Sequence, residues 1–80
     1  MPTLLRHGKY RIIVFTNDHP PPHVHIMNSG YAKIAVGPRV EDVRVLEAKR
    51  IRRAAVRQIL ATIIDHRLML SRAWKQIHGD

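Results

Sequence analysis

The sequence predicts an α+β fold: a small antiparallel sheet of three to four strands with a C-terminal helical segment packed on one face. Three observations predict it. The first half holds runs rich in β-branched and aromatic residues, such as KYRIIVF and YAKIAV. Turn-forming residues separate those runs. From about Lys49 the apolar residues change to a helical period. Eighty residues allow one domain, 1–80. A domain of that size buries only about 60% of the surface its unfolded chain exposes, so a homodimer or a partner would add useful burial.

The elements follow in order. The first eight residues, ending at Gly8, read as a short lead-in or edge strand. In Lys9–Phe15 both alternating faces are apolar, with Tyr10, Ile12 and Val14 on one and Ile13 and Phe15 on the other. A strand apolar on both faces belongs inside a sheet, covered on both sides. Asn17 and Asp18 favour a turn. Pro20, Pro21 and Pro22 lack backbone donors and have fixed φ, so they are expected to form an extended, polyproline-like linker. His23–Met27 resumes as a strand, Asn28–Gly30 is a hairpin turn signal, and Tyr31–Val36 is the partner strand, ended by Gly37 and Pro38. A short fourth strand is expected at Val43–Leu46.

On a helical wheel Val56, Ile59, Leu60, Ile63, Leu70, Trp74 and Ile77 form one apolar stripe, which should lie on the sheet. Ile64 and Leu68 fall off it. Either the helix bends or restarts near Asp65 and His66, or these two residues face a second copy or a partner. Gly79 is the expected stop. Arg50, Arg53 and Arg57 fall on a separate side, with Lys49 and Arg52 beside them. No second helix is foreseen upstream of Lys49, which argues against a helix-turn-helix.

Fourteen Lys and Arg stand against six Asp and Glu, a formal charge of +8. Such a field favours anionic partners, nucleic acid or an acidic protein. The absence of cysteine excludes disulfides and thiolate metal sites and suits a reducing cytoplasm, the expected localisation. The start MPTLLRHG has too short an apolar run for a signal peptide, and no stretch approaches the roughly 18 apolar residues of a membrane span.

The segment HPPPHVH, His19–His25, concentrates three of the six histidines. His23 and His25 are two apart on a strand, so their side chains leave the same face, with Val24 and Ile26 pointing oppositely toward the helix. If the hairpin register holds, Tyr31, Lys33 and Ala35 share the histidine face, while Ala32, Ile34 and Val36 pack inward. Four uses of that face are open. His19, His23 and His25, or Asp18 in place of His19, are candidate zinc ligands. His23 and His25 are candidate acid–base catalysts in a metal-free ribonuclease, with Lys33 or Arg44 stabilising charge. Tyr31 and Lys33, with Lys49, Arg50, Arg53 and Arg57, are candidate nucleic-acid or partner contacts. Lastly, the imidazoles would simply satisfy backbone carbonyls around the proline turn. Whether the protein is an enzyme is left open, and no cofactor is required unless the zinc reading holds. No phosphate-binding loop, Ser-His-Asp or EF-hand pattern occurs.

Three segments, YRIIVFTNDHPPPHVHI (Tyr10–Ile26), YAKIAV (Tyr31–Val36) and the helix carrying Trp74, resemble the bacterial family known as domain of unknown function 4160. The resemblance runs over nearly the whole chain. It implies a small bacterial protein whose activity is unassigned. It also implies a gene neighbour encoding a second small protein, in a toxin–antitoxin-like arrangement. Many members of that family carry acidic residues between the apolar helix positions; here they are mostly Arg.

Overall fold

The structure, a computed structural model, describes residues 3–15, 19–28 and 30–78, with only the backbone described for Thr3 and Leu4. The expected turn at Asn17 and Asp18, the middle residue of the Asn28–Gly30 turn, and the expected stop at Gly79 lie outside the described residues.

The fold is α+β, a five-stranded antiparallel sheet followed by two helices. The strands are β1 (Thr3–His7), β2 (Tyr10–Ile13), β3 (His23–Met27), β4 (Tyr31–Ala35) and β5 (Arg44–Lys49), and they neighbour one another in sequence order. The lead-in does pair as an edge strand, and the late segment is longer than expected, so the count is five rather than three or four. Gly8, at φ +60°, sits in the two-residue turn between β1 and β2, a conformation that glycine adopts without steric cost. The hairpin of β3 and β4 has the expected register, with Met27 opposite Tyr31, His25 opposite Lys33 and His23 opposite Ala35. Across Pro20–Pro22 the expected extended linker is replaced by a bend, with the Pro20–Pro21 peptide bond cis. An X-Pro bond tolerates cis far better than other peptide bonds do.

After β4 a single 3-10 turn, Val40–Asp42, leads into β5. The expected helical start at Lys49 is corrected here. Lys49 is still strand, paired with Tyr31, and Arg50 turns the chain at φ +56°. Helix α1 (Arg53–Asp65) begins after Arg52, and α2 (Arg67–His78) ends the described chain. The break falls where the apolar stripe lost phase. The His66 N–H donates to Thr62 O (3.2 Å) and Ile63 O (3.1 Å). Arg67 ties the joint to the loop after β4: its Nε–H donates to Pro38 O (3.0 Å) and its Nη1 to Ile64 O (2.8 Å). One residue joins the helices, not the three- or four-residue turn of a helix-turn-helix.

The helix-side positions of the strands supply the core, although Ile13, His23, His25 and Ala35 on the other face are buried too. Ile12, Val14, Val24, Ile26, Ala32, Ile34 and Val36 from the sheet segments form one core with Ile59, Ile63, Leu70 and Trp74 from the helices. Leu60 and Ile77 pack against its rim, and Val56 is half-buried. Each large apolar side chain so enclosed stabilises the fold by roughly 1.5–3 kcal/mol relative to exposure. Both helices therefore cover one sheet face. The two residues off the stripe part ways: Ile64 is half-buried, whereas Leu68 is 52% exposed beside Met69. No helix among the described residues is long and apolar enough to cross a membrane.

Candidate nucleic-acid interface

Residues directly opposite one another in an antiparallel sheet project from the same face. The registers therefore lay out the face opposite the helices row by row. The row nearest the β1–β2 turn is Arg6, Arg11, Met27, Tyr31 and Lys49, one residue from each of the five strands. The next row is Ile13, His25, Lys33 and Glu47, and beyond it come His23, Ala35 and Arg44.

The far part of this face is closed. His23 is 5% exposed and His25 6%. The sequence placed the pair correctly on one face, but it implied an accessible pair, and that implication is corrected. The His23 Nδ1–H donates to Pro21 O at 2.7 Å. A carbonyl only accepts, so this bond fixes the proton on Nδ1. The His23 ring meets the Trp74 indole, with centroids 5.1 Å apart, because α2 reaches the start of β3. The His25 ring packs on Phe15 (4.3 Å), on His23 (5.1 Å) and on Tyr31 (5.8 Å), and its Nδ1 shares a hydrogen bond of 3.2 Å with the Tyr31 hydroxyl. These are side chains packed as core, and the bend at the prolines is tied to the sheet through them.

The zinc set does not come together. His19 is exposed, and among the described residues no group of three His, Cys, Asp or Glu is placed to hold a metal ion. Asp18, the other candidate third ligand, lies outside the described residues.

The row nearest the β1–β2 turn is open. Arg6, Arg11 and Lys49 are exposed, and Met27 and Tyr31 half-buried. Two clefts adjoin this end of the sheet. One is lined by Met27, Asn28, Gly30, Tyr31, Lys49 and Arg50. The other lies on the helix side of the sheet end, where Lys9, Tyr10, Asn28, Arg50 and Arg52 meet Ala54 and Gln58 of α1. They share Asn28 and Arg50. The same end of the sheet thus presents Arg6, Lys9, Arg11, Lys49, Arg50 and Arg52. Among the described acids, Glu41 and Asp42 sit on the 3-10 turn at the opposite end, Asp65 closes α1, and Glu47 is engaged by Lys49 at 3.3 Å. Arg6 and Arg11 stand directly opposite each other, an arrangement that like charges disfavour.

Arg50 is the residue that departs furthest from a local rule. Its φ of +56° costs a side-chain-bearing residue about 1 kcal/mol, and glycine would adopt it freely. Gly30 explains part of the geometry. A Cβ there would lie 2.1 Å from Arg50 O, so β4 can begin this close to the turn only with glycine.

The predicted contacts are partly brought together. Tyr31, Lys49 and Arg50 line one cleft, and Lys33 lies one row further in. Arg53 and Arg57 are exposed on α1, so the expected arginine row is split between a turn and a helix. Arg6, Lys9, Arg11, Tyr10 and Asn28 were missed. Arg11 lies on the face of Ile13 and Phe15, which the sequence read as covered, and only pairing with β1 and β3 puts it in an open row.

Neither the curated proteins nor the solved structures searched contain a match to this chain. A family model does match: Domain of unknown function (DUF4160) covers residues 10–75, and the chain belongs to that family.

Proposed function

We propose that the protein binds nucleic acid through the open end of its sheet. One observation carries this reading: a row across the five strands holds Arg6, Arg11 and Lys49, and two clefts at the same end of the sheet are lined by Lys9, Lys49, Arg50 and Arg52. Phosphate contacts from such side chains supply sequence-independent affinity and release bound counterions. The net charge of +8 strengthens encounter with any polyanion, and the uneven placement of charge orients it. The imidazole pair acts, in this reading, as packing that holds the proline bend against the sheet, and not as a catalytic or zinc-binding group.

Titrating a labelled oligonucleotide with the protein at several salt concentrations tests the proposal. The logarithm of affinity is expected to fall linearly with the logarithm of salt, and Arg11→Ala should make that slope shallower by about 0.7–0.9. Absence of binding at low salt, or affinity indifferent to salt, would overturn the reading.

A further inference from the structure

We infer that the ligand is an unpaired strand, laid along the row Arg6–Arg11–Met27–Tyr31–Lys49 with a base seated on Tyr31. This rests on the nucleic-acid reading above and adds the form of the nucleic acid. Three features point to it. First, the row spans four inter-strand spacings, about 19 Å, at the end of the sheet face opposite the core where Arg6, Arg11 and Lys49 are exposed. Flat sheet faces of this kind bind single strands, whose bases splay out and stack on side chains; a duplex hides its bases and presents phosphates to a groove-filling element.

Second, a thioether and a phenol ring are bracketed by cations. Met27 and Tyr31 lie at the middle of the row, between Arg11 and Lys49. A contact to phosphate alone needs no such interruption, whereas base stacking between phosphate contacts does. Tyr31 is half-buried and lines a cleft with Met27, Asn28, Lys49 and Arg50. Its hydroxyl bond to His25 holds the ring in place. The buried imidazoles then have a task in recognition: they brace the stacking ring from behind.

Third, the adjoining cleft extends the cations past the end of the row. Lys9, Arg50 and Arg52 stand there, and the two clefts meet at Asn28 and Arg50. Tyr10 in that cleft belongs to the helix-side face, packed against the core, so Tyr31 is the one phenol ring offered to a base on the row while the cleft supplies phosphate contacts.

Fluorescence anisotropy with labelled ten-nucleotide oligo-U and oligo-dT, and with a ten-base-pair duplex, distinguishes the forms. Both single strands are expected to bind at least about tenfold more tightly than the duplex. Tyr31→Ala should weaken single-strand binding by roughly 5- to 150-fold, the range of one base stack. Tyr31→Phe keeps the ring and should stay within about threefold. Circular dichroism checks that each variant is folded. Should Tyr31→Ala fail to fold, the exposed variant Lys49→Ala carries the test, with single-strand binding expected to drop and its salt slope to shrink by about 0.7. Duplex binding equal to or tighter than single-strand binding overturns this inference and leaves the nucleic-acid reading intact. So does a folded Tyr31→Ala variant with unchanged affinity. No binding of any of the three probes overturns both.

Discussion

The two ends of the open sheet face contrast in what they expose. Toward the prolines, His23 and His25 are nearly sealed, each ring packed on others. Toward the β1–β2 turn, arginines and lysines stand in water around a half-buried tyrosine. Residues that look reactive in a sequence are the enclosed ones, and residues that look like ordinary solubilising charge are the accessible ones. Both ends use the same alternation along the strands. What differs is what covers them, and coverage depends on side chains brought from elsewhere in the chain, Trp74 of α2 and Phe15 among them.

If the enclosed end is packing, truncating it should cost stability. His25→Ala removes a ring in contact with Phe15, His23 and Tyr31, and is expected to destabilise by about 2–4 kcal/mol, as large-to-small changes in cores do. His23→Ala should fall in the same range, since it also releases Pro21 O from its hydrogen bond. Urea denaturation with an unchanged midpoint for both variants would show that the imidazoles are kept for chemistry and not for packing. A midsized effect is expected at the helix joint. Arg67→Ala removes the donors to Pro38 O and Ile64 O, and should cost about 1–2 kcal/mol in the same measurement while leaving oligonucleotide binding untouched.

The contrast also explains how far the sequence could be read. Strand periodicity, the glycine and asparagine turns, and the helical stripe led to an antiparallel sheet with a helical segment on one face, and the phase slip at Ile64 and Leu68 left open a break near Asp65 and His66 or a partner contact; the break is at His66. The face shared by His23, His25, Tyr31 and Lys33 was legible for the same reason, since alternation within a tight hairpin fixes it. Exposure was not legible. Nothing local to His23 announces that Trp74, some fifty positions later, will meet its ring. The end of β5 was misread because Lys49, Arg50, Arg53 and Arg57 fit a helical wheel, while pairing with Tyr31 and the approach to Gly30 keep Lys49 in the sheet and Arg50 in a turn. Arg6 and Arg11 escaped notice because their partnership is set by register across strands, which no single strand displays.

The smallest energetic effect gives the sharpest separation between the two ends. Arg50 holds a left-handed backbone conformation that glycine would hold at no steric cost, beside two clefts whose walls it supplies. A residue in such a conformation persists where its side chain contributes something that glycine cannot. Arg50→Gly should therefore leave the fold as stable as before or more stable by up to about 1 kcal/mol, read from the urea midpoint. Yet it should weaken oligonucleotide binding and reduce the salt slope by about 0.7, because one phosphate contact is gone. The histidine variants are expected to do the reverse at the level of the fold, losing stability at positions that touch no phosphate. If Arg50→Gly loses stability and keeps its affinity, the arginine is a structural part of the turn, and the cationic end reduces to a solvated surface. If it gains stability and loses affinity, the strain at this turn is maintained for binding, and the boundary between packing and recognition on this sheet face runs between His25 and Tyr31.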